Sequence, residues 1–188
     1  MRSLVVYESM YGNTHRIAEA IGHGLSAAGP VVVVPIDEAV PERVAAADLL
    51  VIGAPTHAHG MSRPTTRRSA VEDAERPDSV LHLDPAAEGS GVREWLEGLP
   101  RLDVPVAAFD TRVRMAAALT GRAAKGISKH LRRAGGREIT PPESFFVTKD
   151  NVLEEGEERR AAEWAERIAR DELDARSVSG RRAVPPPG

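Results

Sequence analysis

The residues best suited to chemistry in this sequence form a polar loop of hydroxyl, amide and glycine residues near the amino terminus. The loop follows the apolar run Leu4–Tyr7 and precedes Ile17, Ile21 and Leu25, whose four-residue spacing predicts an amphipathic helix. Backbone N–H groups at the start of a helix lack partners, and the helix dipole is positive there, so such a loop favours an anion. The loop residues are Ser9, Met10, Tyr11, Gly12, Asn13 and Thr14.

The side chains of this loop indicate a phosphate that is held by uncharged donors. The hydroxyls of Ser9 and Thr14 and the amide of Asn13 can donate hydrogen bonds. Gly12 lets the backbone come close to a ligand. The alternative is an ordinary turn in which Ser9 or Thr14 caps the helix. Capping needs one hydroxyl, whereas this loop offers a run of donors, so we favour the phosphate site.

The spacing of the loop excludes two common classes of nucleotide site. Nucleoside triphosphatases place a lysine and then Ser or Thr at the helix start, whereas His15 and Arg16 follow Thr14 here. Dinucleotide-binding loops carry three spaced glycines, and this loop has Gly12 alone. The loop therefore predicts a site for one terminal phosphate.

The stretch Val5–Ile21 resembles the FMN phosphate-binding signature of flavodoxins. Its Ser-Met-Tyr-Gly segment also resembles the flavodoxin-like quinone reductases. Both groups bind the 5′-phosphate of FMN without a cationic side chain. The resemblance thus implies that residues 9–14 do the same and that FMN is the cofactor. The matching positions are Tyr7, Ser9, Gly12, Thr14, Ala18 and Ile21.

The resemblance implies two further loops that face the flavin. The first follows the apolar run Leu49–Gly53, where family members carry a Gly-x-Pro-Thr stretch, and the second follows Val104–Phe109. The alternative is a local hydrogen-bonding role for each histidine of the first loop and a solvated turn for the second. The implied cofactor-binding residues are Pro55, Thr56, His57, His59 and Gly60 in the first loop and Thr111, Arg112 and Val113 in the second.

The elements that position these loops follow from the apolar pattern. Several predicted strands are apolar on consecutive residues, as in strands buried on both faces, and helical patterns alternate with them. This alternation predicts an α/β fold with a doubly wound parallel sheet. The resemblance implies a flavodoxin-like five-stranded sheet of order 2-1-3-4-5, with helices on both faces and FMN at the carboxyl ends of strands one, three and four. The predicted strands are Leu4–Tyr7, Val31–Ile36, Leu49–Gly53, Val104–Phe109 and Ser144–Val147, and the later helices are Pro41–Ala47, Val92–Leu99, Ala123–Leu131 and Glu157–Leu173.

The chain length of 188 residues fits a single domain, which we assign to residues 1–173. Within it, Ser62–Gly91 is a charged stretch longer than most connections. We predict that this insertion loop covers the flavin edge or faces a partner, and a merely solvated insertion is the alternative. Residues 174–188 end in Arg-Arg-Ala-Val-Pro-Pro-Pro-Gly and are predicted to be a disordered tail.

Composition narrows the range of functions. The chain has no cysteine, which excludes disulfides, cysteine nucleophiles and iron–sulfur clusters. The net charge of −3 comes from 28 acidic and 25 basic residues that are well mixed, so nucleic acid is not a predicted partner. The scattered histidines do not have the spacing of metal ligands, so no metal is expected. We find no charged-then-apolar leader and no apolar run near about 20 residues, so we expect a cytoplasmic protein without membrane insertion.

The implied flavin loops depart from the family in two respects. Flavodoxins usually stack aromatic side chains on the ring, whereas neither loop contains one, so a histidine, methionine or arginine would have to stack there. Arg112 and Arg114, with Arg63 close in sequence to the first loop, would favour negative charge on the reduced ring. This second feature predicts two-electron chemistry.

The leading prediction for function is an FMN-binding redox protein that transfers electrons to a partner protein. One alternative is an FMN quinone reductase that uses NAD(P)H directly, and another is a flavin-free binding module on the same fold. A phosphate-accepting receiver domain is excluded because the third strand ends in Gly53-Ala54-Pro55 and not in aspartate. No nucleophile–base pair is evident, so no catalytic residue is predicted and enzyme activity stays an open question.

Overall fold

The computed structural model describes residues 1–57, 60–115 and 121–182. The strands in these ranges are β1 (Ser3–Tyr7), β2 (Val31–Pro35), β3 (Leu49–Pro55), β4 (Pro105–Val113), β5 (Arg137–Glu138) and β6 (Glu143–Val147). They form one parallel sheet of order β2-β1-β3-β4-β5, in which β6 also pairs with β4. The predicted doubly wound parallel sheet of order 2-1-3-4-5 is confirmed.

Two short strands share the fifth position of the sheet. β5 pairs with residues 105–106 and β6 pairs with residues 109–113. Both lie along the same edge of β4, because β3 occupies the other edge. Pro141 and Pro142 lie between the two strands and have no N–H group to donate, which interrupts the ladder. The sequence pattern predicted β6 and missed β5, whose two residues are both charged.

Helices cover both faces of the sheet. Each predicted helix is present, but α4 is shorter than predicted because Gly98 follows its last residue. The helix α3 was not predicted, since Ala70 is its one buried residue. The described helices are α1 (Asn13–Leu25), α2 (Pro41–Ala46), α3 (Pro64–Ala74), α4 (Val92–Glu97), α5 (Ala123–Arg133) and α6 (Glu157–Arg182).

The last helix corrects part of the predicted tail. α6 continues past Leu173 to Arg182, although the sequence pattern predicts disorder from residue 174. Arg176 anchors this extension, because its guanidinium donates to the Asp48 carbonyl at 2.8 Å and to the Glu172 carboxylate at 3.3 Å. Residues 183–188 lie outside the described residues.

Two apolar cores lie on opposite faces of the sheet. On one face, alternate strand residues pack against α1 and α6, and on the other face the intervening residues pack against α4 and α5. The loops at the carboxyl ends of the strands therefore emerge from a rigid, two-sided support. Within the described ranges, no helix is both long enough and apolar enough to cross a bilayer. Main contributors are Val5, Val51, Ile17, Ile21 and Trp164 on the first face, and Val6, Ile52, Leu96, Ile127 and Leu131 on the second.

Candidate functional site

A cleft of about 330 Å³ lies at the carboxyl ends of β1, β3 and β4. This volume is in the range of small-molecule sites. Its walls combine residues from all three loops singled out in the sequence with residues that the sequence did not indicate. The former are Met10, Tyr11, Asn13, Thr14, Pro55, Thr56, His57, Thr111, Arg112 and Val113, and the latter are Thr66, Ser69, Ala70, Asp73, Val147 and Asn151.

Gly12 gives the loop before α1 its shape. Its φ of 85° is a left-handed conformation that side chains rarely adopt, and its N–H donates to the Ser9 hydroxyl at 3.1 Å. Gly12 is the N-cap residue and has no side chain to cap α1, although the Ser9 hydroxyl accepts the Gly12 N–H. The first helical N–H with a backbone acceptor is that of Arg16, which donates to the Gly12 carbonyl. The N–H groups of residues 13–15 have no acceptor among the described residues, so they are available to a ligand, and Thr14 does not cap the helix.

The side chains of Asn13 and Thr14 tie the loop to its neighbours. The Asn13 amide donates to the Asn151 carbonyl at 2.8 Å. The Thr14 hydroxyl lies 2.7 Å from that of Thr111, so one of the two donates and the other keeps a proton for a ligand. These side chains mainly hold the loop in place. The open backbone N–H groups thus carry most of its capacity to bind an anion.

The loop after β3 is fixed to the rest of the sheet edge by Thr56. Its hydroxyl donates to the Asp110 carboxylate at 3.1 Å and accepts the N–H of Ala123 at 2.9 Å. Its backbone N–H donates to the Thr111 carbonyl at 2.9 Å. Thr56 therefore lines the cleft, but its hydroxyl is occupied in joining β3, β4 and α5.

His57 lines the cleft and has a ring nitrogen without a hydrogen-bond partner among the described residues. Its backbone exchanges two hydrogen bonds with Gly60, of 2.8 and 2.7 Å, which pair the two residues in an antiparallel bridge. Its Nε2 atom is buried and has no partner among the described residues. Burial and, to a smaller extent, the charge of Arg67 lower the pKa of His57, so its imidazole is neutral at pH 7. His59 lies outside the described residues, and Gly60 does not contribute to the cleft wall.

The arginines in and near the loop after β4 are not gathered at the cleft, contrary to the prediction from the sequence. Arg112 lines the cleft, and its guanidinium donates to the Met115 carbonyl at 2.8 Å. Arg114 instead pairs with Glu154 and lies 4.1 Å above the ring of Phe146. Arg63 is absent from the cleft wall, whereas the acidic Asp73 is part of it. Of the three positive charges predicted to favour two-electron chemistry, Arg112 lines the cleft, whereas Arg63 and Arg114 do not.

The segment 62–91 is a folded wall of the cleft. It contains α3, which the predicted insertion loop did not include, and four of its residues line the cleft. The Tyr11 hydroxyl donates to the Ala70 carbonyl at 2.9 Å, and the Asp84 N–H donates to the Met10 carbonyl at 2.8 Å. Ala87 completes a small apolar cluster with Met10 and Ala70. The segment thus packs directly on the anion-binding loop.

A buried carboxylate joins the two ends of this segment. Glu8 Oε2 accepts the hydroxyl of Ser62 and the N–H of Val92, each at 2.8 Å. Burial raises the pKa of Glu8, although both hydrogen bonds and the nearby Arg67 oppose that rise. Arg67 also donates to the Ser62 hydroxyl at 3.1 Å. Glu8 therefore fixes the wall to the end of β1.

The turn between β6 and α6 supplies the cleft residue that sequence reasoning missed most completely. Asn151 adopts a left-handed backbone with φ of 59°, and its side-chain Nδ2 is buried without a partner among the described residues. A polar turn at residues 148–151 was visible in the sequence. Its proximity to Asn13 depends on tertiary structure and gave no local signal.

The residues present fit a flavin mononucleotide. The available N–H groups at the start of α1 suit a phosphate. The buried nitrogens of His57 and Asn151 have no hydrogen-bond partner among the described residues, so polar atoms of a ligand can pair with them. Tyr11 is the aromatic side chain that the described cleft wall contains. The described residues contain no group of three or more potential metal ligands. Whether the fourteen sequence-predicted residues bind a cofactor stays a prediction.

Comparisons with known proteins place this geometry in context. The sequence profile of the flavodoxin family matches residues 5–109, which is more than half of the chain. No curated protein sequence matches. A flavodoxin from the domain Archaea has 19% sequence identity and a TM-score of 0.63, covering 91% of this chain and 98% of its own.

Two further solved structures share the fold. Flavodoxin 2 from Bacillus cereus has 20% identity and a TM-score of 0.63, with 92% of this chain and 99% of the other covered. A WrbA-like flavodoxin from Agrobacterium tumefaciens has 20% identity and a TM-score of 0.57, with 92% and 98% covered. At such identities, the structures support the fold alone.

Proposed function

The chain belongs to the flavodoxin family, and from that premise we propose that it binds FMN in the cleft and transfers electrons through it to a redox partner protein. The observation that carries this proposal is the convergence of three separate loops on one cleft beside the open start of α1. Bound FMN would supply the capacity to accept and release one or two electrons. The protein supplies position, exclusion of water and electrostatic environment.

Residues 9–14 would hold the phosphate mainly through backbone N–H groups. A hydrogen bond to a charged group contributes about 1.5–3 kcal/mol, and micromolar affinity corresponds to about 8 kcal/mol. Two or three such donors therefore supply a large share of the affinity without a cationic side chain. The remaining cofactor residues in the proposal are Pro55, Thr56, His57, His59, Gly60, Thr111, Arg112 and Val113.

A second candidate is a quinone reductase that takes electrons from NAD(P)H directly. The Nε2 of His57, which has no partner among the described residues, favours it, because a neutral imidazole in the cleft wall can donate a hydrogen bond to a quinone oxygen or accept a proton from the reduced product. A third candidate is a flavin-free module. It is favoured by the lack of Phe, Tyr and Trp in the loops that follow β3 and β4.

One experiment separates these three candidates. Apoprotein is titrated with FMN while the quenching of flavin fluorescence is followed, and the loaded protein is then mixed anaerobically with NADPH or NADH. We expect FMN to bind and to stay oxidised until a partner reductase is added. Bleaching by nicotinamide alone, with turnover of an added quinone, would replace electron transfer by reductase activity. Failure to bind FMN would leave the flavin-free module.

A further inference from the structure

The turn between β6 and α6 reaches the cleft at Asn151. Within residues 148–152, here called the Asn151 turn, the N–H of Asn151 donates to the Thr148 carbonyl at 3.1 Å. The Val152 carbonyl accepts the N–H of Thr148 at 2.8 Å, and the Val152 N–H donates to the Thr148 hydroxyl at 3.2 Å. These bonds hold the Asn151 turn in one conformation, so the position of its side chain is defined.

The contact with Asn13 fixes the orientation of the Asn151 amide. The Nδ2 of Asn13 lies 2.8 Å from the Asn151 carbonyl and 3.4 Å from Asn151 Oδ1. A flipped Asn151 amide would bring two NH₂ groups together, which is unfavourable. The Oδ1 of Asn151 therefore faces Asn13, and its Nδ2 is the atom left for another partner.

This Nδ2 atom is buried and has no acceptor among the described residues, and it belongs to a residue that lines the cleft. Buried amide hydrogens are nearly always paired, so an acceptor is expected from the ligand or from water. Asn13 is the first residue of α1 and contacts Asn151, so the Asn151 turn adjoins the helix start that carries the available N–H groups. An uncharged donor at that place suits an oxygen of a phosphate.

We propose that Asn151 donates a hydrogen bond from Nδ2 to the phosphate of bound flavin mononucleotide, which makes the Asn151 turn a fourth cofactor-binding segment. The inference rests on the proposed function and adds a residue from outside the three expected loops. It also gives Asn151 a role in specificity, because the unphosphorylated flavin, riboflavin, ends in a 5′-hydroxyl and has no phosphoryl oxygen to accept this hydrogen bond.

Two substitutions at this position isolate the side chain from the backbone. Asn151→Gly keeps the left-handed backbone and the carbonyl that Asn13 uses at 2.8 Å, and it removes the side-chain amide together with the longer Oδ1 contact to Asn13. Asn151→Asp keeps the shape but replaces the donor by a negative charge. Lys149→Ala, at an exposed site in the same turn, changes the charge by the same amount as Asn151→Asp and serves as the matched control.

The affinities of the full-length variants for FMN and riboflavin are measured by fluorescence titration. We expect Asn151→Gly to weaken FMN binding about tenfold and Asn151→Asp at least about thirtyfold. Riboflavin binding should change less than about twofold in both, and Lys149→Ala should change FMN binding less than about threefold. Equal unfolding midpoints in urea would confirm that Asn151→Gly leaves the fold intact.

Wild-type affinity for FMN in both Asn151 variants, or an equal loss for FMN and riboflavin, would overturn the inference and leave the proposed function standing. Failure of the wild-type protein to bind FMN would instead overturn the proposed function, and this inference with it.

Discussion

At the scale of single residues, the backbone conformation at Gly12 restricts which residue can occupy that position in the loop before α1. Its left-handed φ of 85° directs the chain from β1 into α1 and leaves the first N–H groups of the helix open. A β-carbon built there would meet no atom closer than Asp84 Oδ2 at 3.9 Å. Space is therefore sufficient, and the backbone conformation alone demands glycine.

Replacing Gly12 by alanine should lower the free energy of unfolding by about 1–2 kcal/mol, the cost of a left-handed backbone for an L-residue. The same change should weaken FMN binding, because the loop relaxes away from the geometry that leaves its N–H groups open. Urea unfolding measures the first effect. Gly98→Ala is the control, since Gly98 has a φ of −89° and ordinary space around its β-carbon position. Equal effects at the two glycines would contradict the account.

His57 is the residue whose titration should report its burial. Its pKa is lowered in the folded protein, mainly by burial, so the unfolded chain binds a proton more readily. The contribution of His57 to the free energy of unfolding is therefore fully present above the ordinary histidine pKa. It is lost as the pH falls from that value through the lowered pKa of the folded protein. The loss per proton is at most about 1.4 kcal/mol for each pH unit.

We therefore predict that the NMR titration of the His57 ring has its midpoint below the usual histidine range. His57→Gln identifies the signal and should lose less stability than wild type between about pH 7 and 5. A midpoint at or above the usual value would show that the ring is solvated.

At the scale of elements, β1, the loop after it and α1 could be predicted because their signals are local. A consecutive apolar run, a polar loop and four-residue spacing occur in order along the chain. The loops after β3 and β4 were available only through the family resemblance. Nothing local indicated α3, which is stabilised by contacts of Ala70 with Tyr11 and Met10. Asn151 was missed for the same reason, since its partner Asn13 lies far away in sequence.

The wall formed by residues 62–91 gives a prediction about Glu8. Because burial raises the folded-state pKa of Glu8, its contribution to stability is fully present below the ordinary glutamate pKa and is lost as pH rises through the raised value. Glu8→Gln keeps an acceptor for Ser62 and Val92 but cannot ionise. The free energy of unfolding of the variant, relative to wild type, should therefore rise with pH.

Urea unfolding of wild type and Glu8→Gln at pH values from about 4 to 8 measures this difference, whose slope is at most about 1.4 kcal/mol per pH unit. Glu97→Gln is the control, because Glu97 is exposed at the end of α4 and is not among the groups that shift the pKa of Glu8. If the difference in free energy of unfolding between Glu8→Gln and wild type does not change with pH, the pKa of Glu8 is not raised by burial.

At the scale of the whole molecule, the cleft is supported from several sides. The two cores hold the sheet rigid from both faces, α1 is packed against α6, and Arg16 at its start bonds Glu158 at 3.0 Å. The wall of residues 62–91 and the Asn151 turn close the cleft from two other directions. Segments held in this way lose little entropy when a ligand binds, which favours affinity.

The most direct test of the central claim is calorimetric titration of wild-type apoprotein with FMN and with riboflavin. We expect a single FMN site of micromolar or tighter dissociation constant and riboflavin binding weaker by at least about a hundredfold, since the phosphate makes charge-assisted hydrogen bonds that riboflavin lacks. Equal affinity for the two flavins, or no heat with either, would contradict it.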